Sequence, residues 1–340
     1  MKVVWSLLVC SLFLGFASFQ NKPQPYYFSI PEGWPKPHYN FANNPLTLEG
    51  IALGRHLFYD PLLSRNQTVS CASCHLQATG FAHVDHELSH GIDNRIGTRN
   101  AMALINLAWN TSFMWDGGIN HLDVQSLAPI THPAEMDASL EEVIERLQKN
   151  EKYKRLFESA FPGKTISSPL LFKALSQFMV TLVSSNSKYD QQKRGEYHFT
   201  PSEAKGYLVF QNHCGSCHRE PLFSSTSFEN NGLALNPELK DFGRMKITNQ
   251  MEDSLLFRVP TLRNIQFTFP YMHDGRFQNL NQVIKHYNSG IDAHQYVSKQ
   301  LKEPMHLTDK DRVDLESFLR TLSDQSFLQN KKYQFPKDSF

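Results

Sequence analysis

Cys71-Ala72-Ser73-Cys74-His75 and Cys214-Gly215-Ser216-Cys217-His218 are the two stretches on which the fold turns. In a Cys-x-x-Cys-His run the two sulfurs form thioethers with haem vinyl groups, and the adjacent imidazole lands under the iron as axial ligand. From 5 Cys and 15 His in 340 residues, chance expects roughly 0.003 such motifs. A zinc site would need the two pairs to converge, and a thioredoxin-like pair would need a βαβ context. Neither pattern surrounds these motifs. The reading is a c-type cytochrome carrying two covalent haems, with Cys71, Cys74, Cys214 and Cys217 as attachment points. His75 and His218 are the axial ligands.

The flanks of the motifs match, as one duplicated small domain requires. Thr200-Pro201-Ser202-Glu203 is a capping box with Pro in the first turn, predicting a helix through Phe210 ahead of the second motif. Thr47 caps a comparable stretch, Leu48 to Phe58, ahead of the first. A closing helix is predicted from Pro169 to about Ser184, and another after Thr308-Asp309-Lys310-Asp311. Ser139 opens a further helix over Leu140 to Phe161. No strand pattern longer than a few residues stands out, so the expected fold is mainly α: two c-type cytochrome domains, each around one haem, with long loops. The expected division is a signal segment over 1–19, a Pro- and aromatic-rich extended lead over 20–45, and domains over 46–190 and 191–330. Lys188 to Glu196, polar and charged, reads as the linker.

Lys2 followed by the apolar run Val3 to Phe16 and the small residues near Ala17 reads as an export signal. The run is short for a membrane-spanning helix, which needs about 20 apolar residues. Cys10 lies inside it, so removal leaves only the four haem-motif cysteines. The expected location is the periplasm. Lys+Arg 34 against Asp+Glu 33 gives a net charge of +1, which gives nucleic-acid binding no support.

Opposite His75 and His218 the composition offers many candidates, among them His83, His86, His90, Met245, Met251, Met272 and Tyr287. Here a resemblance helps. Leu-Gly-Arg-His-Leu-Phe-Tyr-Asp-Pro-Leu-Leu-Ser (53–64), Thr-Arg-Asn-Ala (98–101), Phe-Met-Trp-Asp-Gly (113–117), Val-Pro-Thr-Leu-Arg-Asn (259–264) and Phe-Pro-Tyr-Met-His-Asp-Gly (269–275) resemble the bacterial dihaem cytochrome c peroxidases, a family that includes MauG. The match runs from about residue 45 to 325. It implies a peroxide-reacting N-terminal haem and an electron-transferring C-terminal haem. It further implies that Gln125 and Glu135 form the distal pair and that Trp115 relays electrons between haems. It also implies one Ca²⁺, held by the side chain of Asn100 and the carbonyls of Thr268 and Pro270, with waters completing the shell.

Two positions depart from the family's peroxidases. Those place a Met fourteen positions after the His of the aromatic-x-His-Asp-Gly motif; counted from His273, this chain has Tyr287, as MauG-like members do. A phenolate favours ferric iron over ferrous and lowers the potential relative to a thioether; Met272 is the alternative ligand. A gating His-Gly also precedes Arg-Asn in those peroxidases, and His90-Gly91 lies in a similar place with two extra residues before Asn100. A plain surface histidine is the other reading of His90. The expected partners are hydrogen peroxide and a small electron donor, a cytochrome c or a cupredoxin; family peroxidases are often homodimers. The alternatives are a MauG-like oxidase of a protein side chain and a non-enzymatic dihaem electron carrier.

Overall fold

The computed structural model describes residues 22–293 and 295–337; the expected signal segment, with Cys10, lies outside them. The fold is mainly helical, and among the described residues the strands are the two-residue antiparallel pair Phe228–Glu229 with Phe257–Arg258, beside isolated bridges. Among the described residues no helix is long and apolar enough to cross a membrane.

The same helix crossing is built twice. In the first half, helix Leu48–Tyr59 starts where the Thr47 hydroxyl accepts from Gly50 N at 2.9 Å, satisfying an orphan donor of the first turn. It lies across helix Ser168–Val180, and Gly54 marks the crossing: a Cβ there would sit 1.9 Å from the Ala174 carbonyl oxygen. In the second half, helix Pro201–His213 opens with the expected Thr200/Glu203 capping box. It lies across helix Asp309–Arg320, which opens with the Thr308/Asp311 box. Gly206 plays the part of Gly54, with its notional Cβ 1.8 Å from the Asp314 carbonyl. Two hydrophobic cores result. One holds Leu53, Leu57, Phe58, Leu171 and Phe178, the other Phe210, Phe223, Leu315 and Phe318. Each such side chain contributes about 1.5–3 kcal/mol when fully buried.

Three local expectations need correction. The helix expected over Leu140 to Phe161 is two, Leu140–Lys149 and Glu151–Ala160. Asn150 breaks it: its side-chain oxygen accepts from Lys152 N and Tyr153 N, capping the second helix. The helix expected to reach Ser184 stops at Val180. Asn106 draws the chain away, its N–H bonding Leu182 O while its side-chain oxygen accepts from Ser184 N. The polar stretch 188–196 contains a helix, Lys188–Lys193, capped by Ser187 and Asp190. Asp190 accepts two 2.8 Å bonds from the fully buried Arg263, which also donates to Pro221 O. The segment joining the halves is therefore anchored by a desolvated ion pair.

Among the described residues the lead has no helix, as expected, and Tyr27 is 87% exposed, but Phe28, Trp34, Tyr39 and Phe41 turn inward. Trp34 packs edge-on against Trp109 at 5.0 Å, and Phe28 meets Phe41 at 4.8 Å. The C-terminal stretch returns to the first core, with Phe327 and Leu328 inside it and the Tyr333 hydroxyl donating to Thr181 O at 2.7 Å.

Candidate haem centres

Each motif cysteine pair sits at a helix end beside its own core. Cys71–Cys74 is a single helical turn whose first N–H groups are tied by Ser70 and Ser73. Cys214 follows directly on helix Pro201–His213. All four cysteines are free of disulfides and half-buried. Burial raises the Cys71 and Cys214 thiols to about 12, so this apolar setting disfavours a thiolate.

The two histidines are presented alike. His75 N follows Cys71 O at 3.0 Å, and its Nδ1 lies 2.8 Å from Phe81 O. A carbonyl can only accept, so Nδ1 carries the proton and Nε2 keeps its lone pair for a metal. The turn that supplies this carbonyl needs Gly80 at φ +69°, with the buried Phe81 itself at φ +58°. His218 Nδ1 faces Pro260 O at 3.1 Å and Phe223 O at 3.3 Å. Burial lowers both imidazoles to about 4, which favours the neutral, ligating form.

Beyond the histidines the two centres differ. Near the first, Glu135 is fixed by its backbone, with its N–H on His132 O and its carbonyl accepting from Ile92 N at 2.8 Å. Its carboxyl lies within electrostatic reach of both Cys71 and Cys74. Burial holds it above the usual carboxyl range, partly offset by His132. The close packing of loop and acid requires Gly91, where a Cβ would meet Ala134 O at 2.2 Å. Gln125 ends helix Leu122–Gln125 and directs its amide to Met114 Sδ at 3.7 Å. No hydrogen bond joins Gln125 to Glu135 among the described residues. His90 turns its carbonyl to Cys74 Sγ at 3.3 Å and stacks its ring on exposed His86, with centroids 3.8 Å apart.

Near the second, a cavity with some 1690 Å³ of empty space, part of it open to solvent, is lined by Cys214, Cys217, His218, Met272, Tyr287 and Trp115. Both motif sulfurs and the His218 imidazole share this mostly apolar lining, the donor set that a haem bonded to both sulfurs needs. Tyr287 stands in the last turns of helix Leu280–Ser289, and burial raises its phenol to about 12. Met272 lies on the same cavity, its sulfur accepting from the Asn231 amide at 3.3 Å.

Trp115 is tied to both halves. Its indole N–H donates to Asn100 O at 2.9 Å, and its carbonyl accepts from Arg258 N at 2.8 Å. Beside it Arg99 bridges Asp116 of the first half and Asp241 of the second, each at 2.6 Å. Asn100, Thr268 and Pro270 line the same cavity. The Asn100 amide N–H is spent on Glu87 O, leaving its side-chain oxygen as the available donor atom. Sequence reading missed the carbonyl acceptors of His75 and His218, which depend on turns carrying no side-chain signature. It also missed the buried Arg258.

Residues 48–198 match the family model described as di-haem cytochrome c peroxidase, and residues 203–323 match that described as cytochrome c. The methylamine utilization protein MauG of Methylorubrum extorquens is 36% identical over 87% of this chain and 83% of its own. The cytochrome c551 peroxidase of Nitrosomonas europaea is 33% identical over 72% of this chain and 74% of its own. Among solved structures, a MauG-like protein associated with microbial copper homeostasis superposes with a TM-score of 0.84 at 31% identity. It covers 92% of this chain and 99% of the other.

Proposed function

Because the chain belongs to the di-haem cytochrome c peroxidase family, we propose that it reduces hydrogen peroxide with electrons from a small cytochrome c or cupredoxin, dividing the work between two unequal centres. The observation that carries this reading is the desolvated Glu135 carboxyl within electrostatic reach of both Cys71 and Cys74, whereas the carboxylate near the second pair, Glu229, reaches Cys217 alone and is held by the Ser298 hydroxyl. Two covalent haems would supply the redox-active iron that peroxide reduction needs.

The chain's own residues do the rest. His75 and His218 offer Nε2 to the irons, oriented by the carbonyls that hold Nδ1–H. Glu135 takes the proton from one peroxide oxygen and delivers it to the other, which becomes the leaving water. The Gln125 amide donates to bound peroxide and orients it. Trp115 passes electrons between the halves to which it is bonded. One peroxide, two protons and two electrons give two waters. Tyr287 would hold the haem iron at the His218 centre together with His218, with Met272 the alternative. His90, stacked on His86, stays outside the reaction in this reading. One Ca²⁺ is proposed on Asn100, Thr268 and Pro270, hard oxygens that waters would supplement. The proposed compartment is the periplasm, reached through the 1–19 signal.

The test is electron paramagnetic resonance of the oxidised protein beside peroxide turnover with reduced donor. A high-spin ferric signal and two donor electrons consumed per peroxide are expected; two low-spin haems and no turnover overturn the proposal. A second reading, peroxide-driven oxidation of a partner protein's side chain, is favoured by Tyr287 standing where other family peroxidases have Met. Reaction with peroxide without prior reduction would point to it.

A further inference from the structure

Arg258 is 8% exposed, yet among the described residues no carboxylate meets its guanidinium. Its Nε has no hydrogen-bond partner, and Nη2 reaches only the Met102 sulfur at 3.5 Å, a weak acceptor. Other arginines with little access to water are treated differently: fully buried Arg263 is clamped by Asp190, and Arg99, its side chain 19% exposed, by Asp116 and Asp241. The nearest carboxylate along the strand pair, Glu229, stands opposite Phe257 rather than Arg258 and accepts from the Ser298 hydroxyl. A buried cation without a partner is among the costliest features a fold can keep. Burial here is severe enough to lower even a guanidinium to about 10.

Arg258 lines the cavity that holds Cys214, Cys217 and His218. It also lines the adjoining polar cleft of Asn106, Asn110, Ser224 and Thr261, so it forms part of the wall between them. Its backbone is fixed by the Trp115 carbonyl and by the ladder with Phe228. The missing group is therefore an anion that enters this cavity with its cofactor. We infer that Arg258 binds a propionate carboxylate of the haem attached at Cys214 and Cys217, through its unpaired Nε–H and a guanidinium N–H. Such a fork-to-carboxylate pair satisfies both charges at once. The inference rests on a haem occupying that cavity. It makes Arg258 a positioning residue: the cation beside the haem disfavours the more positive ferric state and so raises its potential.

Arg258→Met and Arg258→Lys are prepared as holoproteins, and haem content is measured first by pyridine haemochrome. Two haems per chain in the wild type uphold the premise; fewer than two remove it irrespective of Arg258. In Arg258→Met the potential of the His218-ligated haem is expected to fall. Its propionate stretching bands, resolved by ¹³C-propionate labelling and infrared difference spectroscopy, are expected to shift. Arg258→Lys keeps the charge without the fork, so it should recover most of the potential but not the band positions. With two haems bound, an unchanged potential and unchanged bands in Arg258→Met overturn the inference. So do changes confined to the His75-ligated haem.

Discussion

Replacing Glu135 by Gln isolates one proton-transfer step. The two side chains have the same length, and the Glu135 carboxyl makes no hydrogen bond or ion pair with the described residues, so none is lost. The backbone bonds that place it, to His132 O and from Ile92 N, do not involve the side chain. What disappears is the ability to accept a proton from one peroxide oxygen and give it to the other. General acid–base catalysis of this kind is worth about 10²–10⁴ in rate, or roughly 2.7–5.4 kcal/mol of barrier. The pH profile adds a second signature. The working form is the carboxylate, and burial raises this group's pKa. Wild-type turnover should therefore fall in acid at a pH above the ordinary glutamate value of about 4.3. In Glu135→Gln that acid limb should vanish with most of the rate. The assay is peroxide-dependent oxidation of a reduced small cytochrome at several pH values, with the visible and paramagnetic resonance spectra compared to show intact haems. An unchanged kcat/KM for peroxide, or an acid limb that persists in the variant, refutes the assignment.

Two further outcomes follow from the same structure. Tyr287→Met should raise the potential of the His218-ligated haem and change its spectrum, since a thioether replaces a phenolate; if spectroelectrochemistry shows no change and Met272→Ala alters the spectrum, Met272 is the ligand. Arg263→Met strands Asp190 without its cation and should cost about 3–5 kcal/mol in guanidinium unfolding of the holoprotein. Burial alone would raise Asp190, but the bonds and charge of Arg263, with Ser187, outweigh it and hold the carboxyl below its usual range. Its contribution is thus present above the unfolded pKa of about 3.9 and lost as pH falls through the lower folded value. The stability gap between wild type and variant should close in acid, and a gap independent of pH would contradict this account.

What was legible in the sequence was whatever a short local rule determines. The motifs announce thioether chemistry by spacing alone. The Thr200/Glu203 and Thr308/Asp311 boxes announce their helices because capping couples residues three apart. Ser187 and Asp190 form the same box, and reading it would have turned the supposed linker into a helix. The partner Arg263 lies far along the chain, so no local rule could show that Asp190 anchors a buried pair. Gly54 and Gly206 are ordinary helix glycines until a second helix backbone is laid against each.

The division of labour is the hardest feature to read, because the two motifs are nearly identical and the residues that separate them are remote. Glu135 reaches the first centre through a backbone bond to Ile92, on the loop that follows Cys74. Tyr287 and Met272 reach the second from a helix and a turn well downstream of His218. Arg258 is remoter still in kind: in sequence it is one arginine in the apolar run Leu255 to Val259, and only its burial without an anion marks it. Pattern therefore finds the residues of the two covalent motifs, whereas those proposed to tune a haem show themselves through unmet physical demands: an acid kept from water, a phenol in a cavity, a cation without a counter-charge. Arg258 and Glu135 belong to one argument on this ground, since each retains a desolvated polar group whose cost only a bound haem and its substrate would offset.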